Sequence, residues 1–134
     1  MPETVSTRPL LDKLGVRPGA RVALVGLVDA DFERLVRERT GDVTLGSAVG
    51  ESDLVFLAAD SGAELSRVGE LRSAIRPGGA IWVVSRKGRA ATLRDVEVIR
   101  VAKANGLVDN KVVSFSPTHT ALRLVIPVAL RAKG

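Results

Sequence analysis

Three short apolar runs constrain this chain more than anything else in it: Arg21 to Leu27 (RVALVGL), Asp53 to Ala59 (DLVFLAA) and Ala80 to Ser85 (AIWVVS). Each is strand-sized, and together they are rich in β-branched residues. A strand with one wet face alternates apolar and polar residues. A nearly continuous apolar run is the pattern of a strand covered on both faces, as in a parallel sheet between two helical layers. The stretches between the runs carry helical patterns. Phe32, Leu35 and Val36 lie at helical spacing within Ala30 to Arg39, and Gly41 is the expected stop. Ser61 and Glu64 form a capping box, in which the serine accepts from the N3 amide and the glutamate reaches back to the cap. The helix they open is expected to carry Leu65, Val68, Leu71 and Ile75 inward and to end at Pro77-Gly78-Gly79. A third helix is expected after Thr92, with Asp95 at N3 and Leu93, Val96, Ile99 and Ala102 on one face. Asn105-Gly106 closes it.

The rest of the chain completes an alternating order. Leu10, Leu11 and Leu14 share one side of a short helix stopped by Gly15, and Pro18-Gly19 is a turn signal. A weakly signalled strand spans Asp42 to Ala48. Two strands close the sequence, near Lys111 to Ser116 and Ala121 to Val128, joined by Pro117-Thr118-His119-Thr120. They are too close for a helical crossover and are expected to form an antiparallel hairpin. The predicted order is β-α-β-β-α-β-α-β-β, an α/β fold of three layers around a mostly parallel sheet of about six strands. Pro127 has no ladder donor, so the last paired region ends near Ile126, or bulges, or lies at an edge. At 134 residues the chain is long enough for one domain, expected over residues 9–134, with 1–8 as a loose terminus.

Composition excludes several chemistries. There is no cysteine and one histidine, His119, so disulfides, thiol nucleophiles and thiolate metal sites are ruled out and no metal centre is expected. Neither a leader pattern nor an apolar stretch of about 18 residues is present, and the expectation is a soluble cytoplasmic protein with no membrane contact. The net charge of +5 is unevenly spread. Residues 1–74 carry 9 basic and 12 acidic side chains; residues 75–134 carry 11 basic and 3 acidic. Such asymmetry can mark a face that attracts anions. With only Phe32, Phe56, Phe115 and Trp82 as aromatics, three of them on core-facing patterns, specific nucleic-acid binding is not expected.

Several stretches carry a resemblance. Asp53 to Leu57, Leu71 to Gly79 (LRSAIRPGG), Ala80 to Ser85 and the closing hairpin resemble class I methyltransferases, which end a Rossmann-like sheet with an antiparallel strand slotted beside parallel neighbours. Leu14 to Gly19 (LGVRPG), Arg21 to Leu27, Asp53 to Asp60, Arg76 to Gly79 and the lysine-containing loop Ser85-Arg86-Lys87-Gly88 are similar to a family of small bacterial domains of unknown function that look like shortened methyltransferase folds. The resemblance implies a methyltransferase-like topology over about residues 15–130. It implies no activity and carries over no functional residue.

Methyltransferase-like sheets hold S-adenosylmethionine with a glycine-rich turn after the first strand and an acid at the end of the second, the same logic as the dinucleotide fingerprint. Here the first strand leads into Gly26-Leu27-Val28-Asp29-Ala30-Asp31, with one glycine and two bulky residues. Asp29, Asp31 and Glu33 crowd the helix start, where they satisfy free amides and repel an anion. The second strand ends near Gly46-Ser47-Ala48, and the next carboxylate is Glu51. No phosphate-loop motif or nucleophile elbow appears. No cofactor is therefore expected in the standard mode. In open α/β sheets ligands bind beyond the carboxyl ends of the strands. That edge is expected to gather Asp60, Ser61, Ser85, Arg86, Lys87, Arg89 and Asp29, with His119 as a lone acid–base group or a turn residue. Asp60 and Ser61 also serve to end a strand and cap a helix. Two functions follow. One is a non-catalytic or regulatory domain binding a protein partner or a small anion; the other is a degenerate methyltransferase with a noncanonical cofactor site. An exposed sheet edge leaves self-association open.

Overall fold

The computed structural model describes residues 10–48 and 50–130, so the loose terminus expected over residues 1–8 lies outside the described residues. In chain order a short helix α1 (10–14) precedes β1 (Val22–Val25), α2 (Ala30–Arg39), β2 (Val43–Leu45) and β3 (Ser52–Ala58). Then come the short helices α3 (Gly62–Leu65) and α4 (Val68–Arg72), β4 (Ile75–Arg86), α5 (Asp95–Ala104), β5 (Val108–Ser114) and β6 (His119–Val125). The six strands form one sheet in the order β2-β1-β3-β4-β6-β5. Ladders among the first four are parallel, while β6 runs antiparallel to both β4 and β5. The α/β class, the six strands and the antiparallel closing pair agree with the sequence pattern. Pairing of β6 stops at Val125, so Pro127 lies beyond the ladder and an interior strand tolerates it.

The apolar runs are continuous because alternate residues enter two different cores. Ala23, Val25, Val55, Leu57, Ile81 and Val83 face α3, α4 and α5. Val22, Leu24, Leu54, Phe56, Trp82 and Val84 face α1 and α2. All four aromatic residues of the chain lie in this second core. Phe32 meets Phe56 and Phe115 edge-on, with ring centroids 5.2 and 4.8 Å apart, and Phe56 stacks on Trp82 at 6.4 Å.

Several boundaries differ from the sequence pattern for local reasons. β1 stops at Val25 because Gly26 takes a φ of +71°, a conformation that ends the ladder. The expected helix from Ser61 through Ile75 is two short segments ending at Arg72, and Ile75 instead opens β4, paired with Ser52. Pro77-Gly78-Gly79 is therefore a bulge inside β4 rather than a helix stop: the register passes from Ser52↔Ile75 to Leu54↔Ala80. Gly79 makes this possible, since a Cβ there would sit 2.9 Å from the carbonyl oxygens of Ser52 and Asp53. α5 begins after Arg94, not Thr92; Glu97 Oε1 accepts from the Arg94 amide at 2.8 Å. Its inward face is accordingly Val98 and Ala102, while Val96 is exposed.

Candidate functional site

The carboxyl edge of the sheet carries the turns after β1, β3 and β4. Between β1 and β3 the chain leaves toward opposite layers, so this is the switch point at which an open α/β sheet offers a crevice. After β1 the backbone turns at Gly26, and Val28 stands out at 97% exposure. Asp29 caps α2: its Oδ1 accepts from the Phe32 amide at 3.0 Å and its carbonyl from the Glu33 amide at 2.9 Å. The helix start is thus already satisfied by its own chain. Asp31 and Glu33 are held by ion pairs with Arg34 (2.7 Å) and Arg37 (2.9 Å), so among the described residues Asp29 is the acid at this turn without an ion pair. β2 ends at Leu45 and Gly46, with no carboxylate at its tip, and Glu51 lies at the opposite edge, immediately before β3. These residues do not fit S-adenosylmethionine in the standard mode: the turn lacks the paired glycines and the second strand lacks the acid that would hold the ribose hydroxyls.

The turns after β3 and β4 are tied together. Asp60 Oδ1 accepts from the Arg86 amide at 2.8 Å, and its other oxygen lies 3.9 Å from Arg86 Nε. The Asp60 amide donates to Glu64 Oε1 at 2.7 Å, and Thr92 Oγ1 donates to the Asp60 carbonyl. Ser61 accepts from the Glu64 amide at 3.2 Å as the cap of α3. Asp60 and Ser61 therefore serve the fold, and the charge of Arg86 is partly matched by Asp60. Lys87 differs: Nζ donates to the neutral Ser114 Oγ at 2.7 Å, and its backbone amide donates to the Thr118 carbonyl at 3.0 Å. Arg89 is exposed in a single 3-10 turn (Gly88–Ala90) that Gly88 enters at a φ of +70°. The sequence brings Arg86, Lys87 and Arg89 to one loop, and the fold adds Ser114, Thr118 and His119 beside it.

Two expected members sit differently. Ser85 is buried at 4% exposure, inside the ladder opposite Thr120. His119 is not in a turn: it is the first residue of β6, half-buried, opposite Arg86. Its Nδ1 lies 2.8 Å from Thr118 Oγ1, and its backbone amide donates to Ser116 Oγ at 3.1 Å. Sequence reasoning missed Ser114, Thr118 and Thr92. The signal for Ser114 and Thr118 was the short hairpin, which brings the end of β5 to the same edge as the end of β4 with β6 between them; in the sequence Thr92 marks only a helix start. No group of three or more metal-ligating side chains occurs among the described residues.

The sequence matches no protein-family model and no curated protein. Solved structures do match. The precorrin-6y C5,15-methyltransferase of Geobacter metallireducens superposes with a TM-score of 0.65 at 13% identity, over 90% of this chain and 87% of that one. A methyltransferase of calicheamicin biosynthesis, in its S-adenosylhomocysteine-bound form, gives 0.67 at 17% identity, over 93% of this chain and 55% of that one. The magnesium protoporphyrin IX methyltransferase of Synechocystis, with bound S-adenosylmethionine, gives 0.58 at 14% identity, over 93% and 79%. This chain thus spans just over half the length of the second and more of the others. The likeness is one of fold: the chain has a methyltransferase-like Rossmann fold in a short form.

Proposed function

We propose that this domain keeps the methyltransferase sheet as a scaffold and binds an anionic group at its carboxyl edge. That group is carried by a small molecule or by an acidic segment of a partner protein. The observation that carries this reading is the contrast between two neighbouring turns. The turn after β1 is closed by the Asp29 cap. The turn after β4 presents Lys87 against a neutral hydroxyl and Arg89 to solvent. A cation hydrogen-bonded to a neutral group keeps its attraction for an anion, whereas one facing a carboxylate has spent most of it. We read the protein as cytoplasmic; no helix among the described residues is long and apolar enough to cross a membrane.

A second reading is favoured by one observation, the fold shared with methyltransferases whose structures hold the cofactor or its product. It is a methyltransferase with a noncanonical cofactor site. Calorimetry with S-adenosylmethionine and S-adenosylhomocysteine separates the two. The first reading expects no saturable heat at concentrations of about 1 mM, a standard free energy of about −4 kcal/mol. Micromolar binding of either compound would establish the second.

A further inference from the structure

The sheet ends in two unequal edges: β2 offers three residues and β5 offers seven, Val108–Ser114. The β5–β6 ladder fixes which backbone groups of β5 are spare. The Phe115 amide donates to the His119 carbonyl at 3.1 Å, and bonded pairs alternate along an antiparallel ladder, so Val113 and Lys111 also turn their amides and carbonyls to β6. Those of Val112 and Ser114 therefore point away from the sheet. The Val112 side chain is 58% exposed. Such a row is a template for another strand.

Charge says which strand fits. Asp109 stands near the start of β5, and among the described residues its carboxylate has no ion pair. At the other end of the same strand Lys87 Nζ lies 2.7 Å from the neutral Ser114 Oγ. The amino-edge recess lined by Arg17 and Arg76 differs, since Arg76 there already meets Asp53 at 3.2 Å. Asp109 and Lys87 also share a face. Asp109 is opposite Leu124 and Val112 opposite Leu122, both in the core under α5, and Ser114 follows Val112 by two positions on that side.

A second β5 laid antiparallel, with Val112 opposite its own copy, lets the two Val112 residues exchange both N–H···O bonds and sets their side chains together. The same register puts Ser114 of one chain opposite Asn110 of the other, and so brings the partner's Asp109 to Lys87. A two-fold axis repeats that contact, giving two such pairs. Lys111 then faces Val113 of the copy, so no like charges meet. The bulge between Asp109 and Lys111 confines regular pairing to Lys111 through Val113, and the contact is accordingly short.

We propose that two copies of this chain join through β5 as an antiparallel two-fold dimer, in which Lys87 of each holds Asp109 of the other. This rests on the anion-binding reading of the loop after β4 and names its acidic partner segment as the chain's own edge strand.

The test is sedimentation velocity of the full chain up to about 1 mM, with an expected dissociation constant of about 100 µM, the scale of a small transient contact. Asp109→Lys and Lys87→Asp each weaken the dimer by about tenfold or more. Val112→Pro removes an amide that the ladder does not use, and it abolishes the dimer while circular dichroism shows the fold retained. An equimolar mixture of the Asp109→Lys and Lys87→Asp chains dimerises, because each supplies the charge the other has lost. A parent that stays monomeric at about 1 mM overturns the proposal, as does a dimer that survives Val112→Pro or a mixture that stays monomeric. A chain that citrate stabilises but that remains monomeric overturns the dimer alone; a chain with neither property overturns the anion-binding reading with it.

Discussion

Trp82 shows how much rests on single side chains in a chain with four aromatics. It is fully buried in β4, stacks on Phe56, and its Nε1 donates to the carbonyl of Leu14 at 3.1 Å, across 68 positions of sequence. That bond satisfies a carbonyl at the end of α1 that has lost water. Trp82→Phe removes the donor and leaves a void. The expected cost is about 2–4 kcal/mol of stability, measured by urea unfolding followed by circular dichroism because the variant has no tryptophan. The residue type was readable as core from the sequence. Its partner was not, because nothing local pairs position 82 with position 14.

At the scale of elements, helix patterns fixed existence better than boundaries. Ala30 to Arg39 was legible to the residue because cap, charges and periodicity agree. The segment after β3 was not, because Ile75 satisfies a helical spacing and a strand position equally well and pairing with Ser52 decided the matter. The junction of α4 and α5 gives a sharp test. A Cβ at Gly69 would lie 2.9 Å from Asn105 Oδ1, and Asn105 Nδ2 is held by the Val101 carbonyl at 2.9 Å. Gly69→Ala is expected to destabilise the protein by about 1 kcal/mol in the parent through this crowding. In an Asn105→Ala background the same change is expected to stabilise by about 0.5–1 kcal/mol through helix propensity. A double-mutant cycle by chemical denaturation reads both values.

Across the whole molecule the charge asymmetry of the sequence resolves into particular pairs. Five of the twelve acidic residues of the first half pair with an arginine of the same half: Asp12 with Arg39, Asp31 with Arg34, Glu33 with Arg37, Asp42 with Arg21, Glu70 with Arg67. The second half, with three acids, has less to answer with, so cations such as Lys87 and Arg89 keep their field. Citrate is therefore expected to raise the melting temperature of the parent more than that of Lys87→Gln/Arg89→Gln. The difference is expected to shrink as salt rises from about 0.05 to 0.5 M, as the screening length shortens. An equal shift in both proteins at all salt concentrations would remove the loop from the anion site.

The sequence by itself determined the class of fold, because continuous apolar runs need cover on both faces and the spacing between them leaves room for little else. It also determined the poverty of the turn after β1, since glycine is either present or absent. Only the tertiary structure decided that Asp60 partly matches Arg86 while Lys87 keeps its charge, and that Arg17 and Arg76, far apart in sequence, line one recess. Covering a strand is a demand that composition and period state locally. Which charges meet depends on the order of strands and on a bulge at Gly79, and those are settled by the packing of the whole chain.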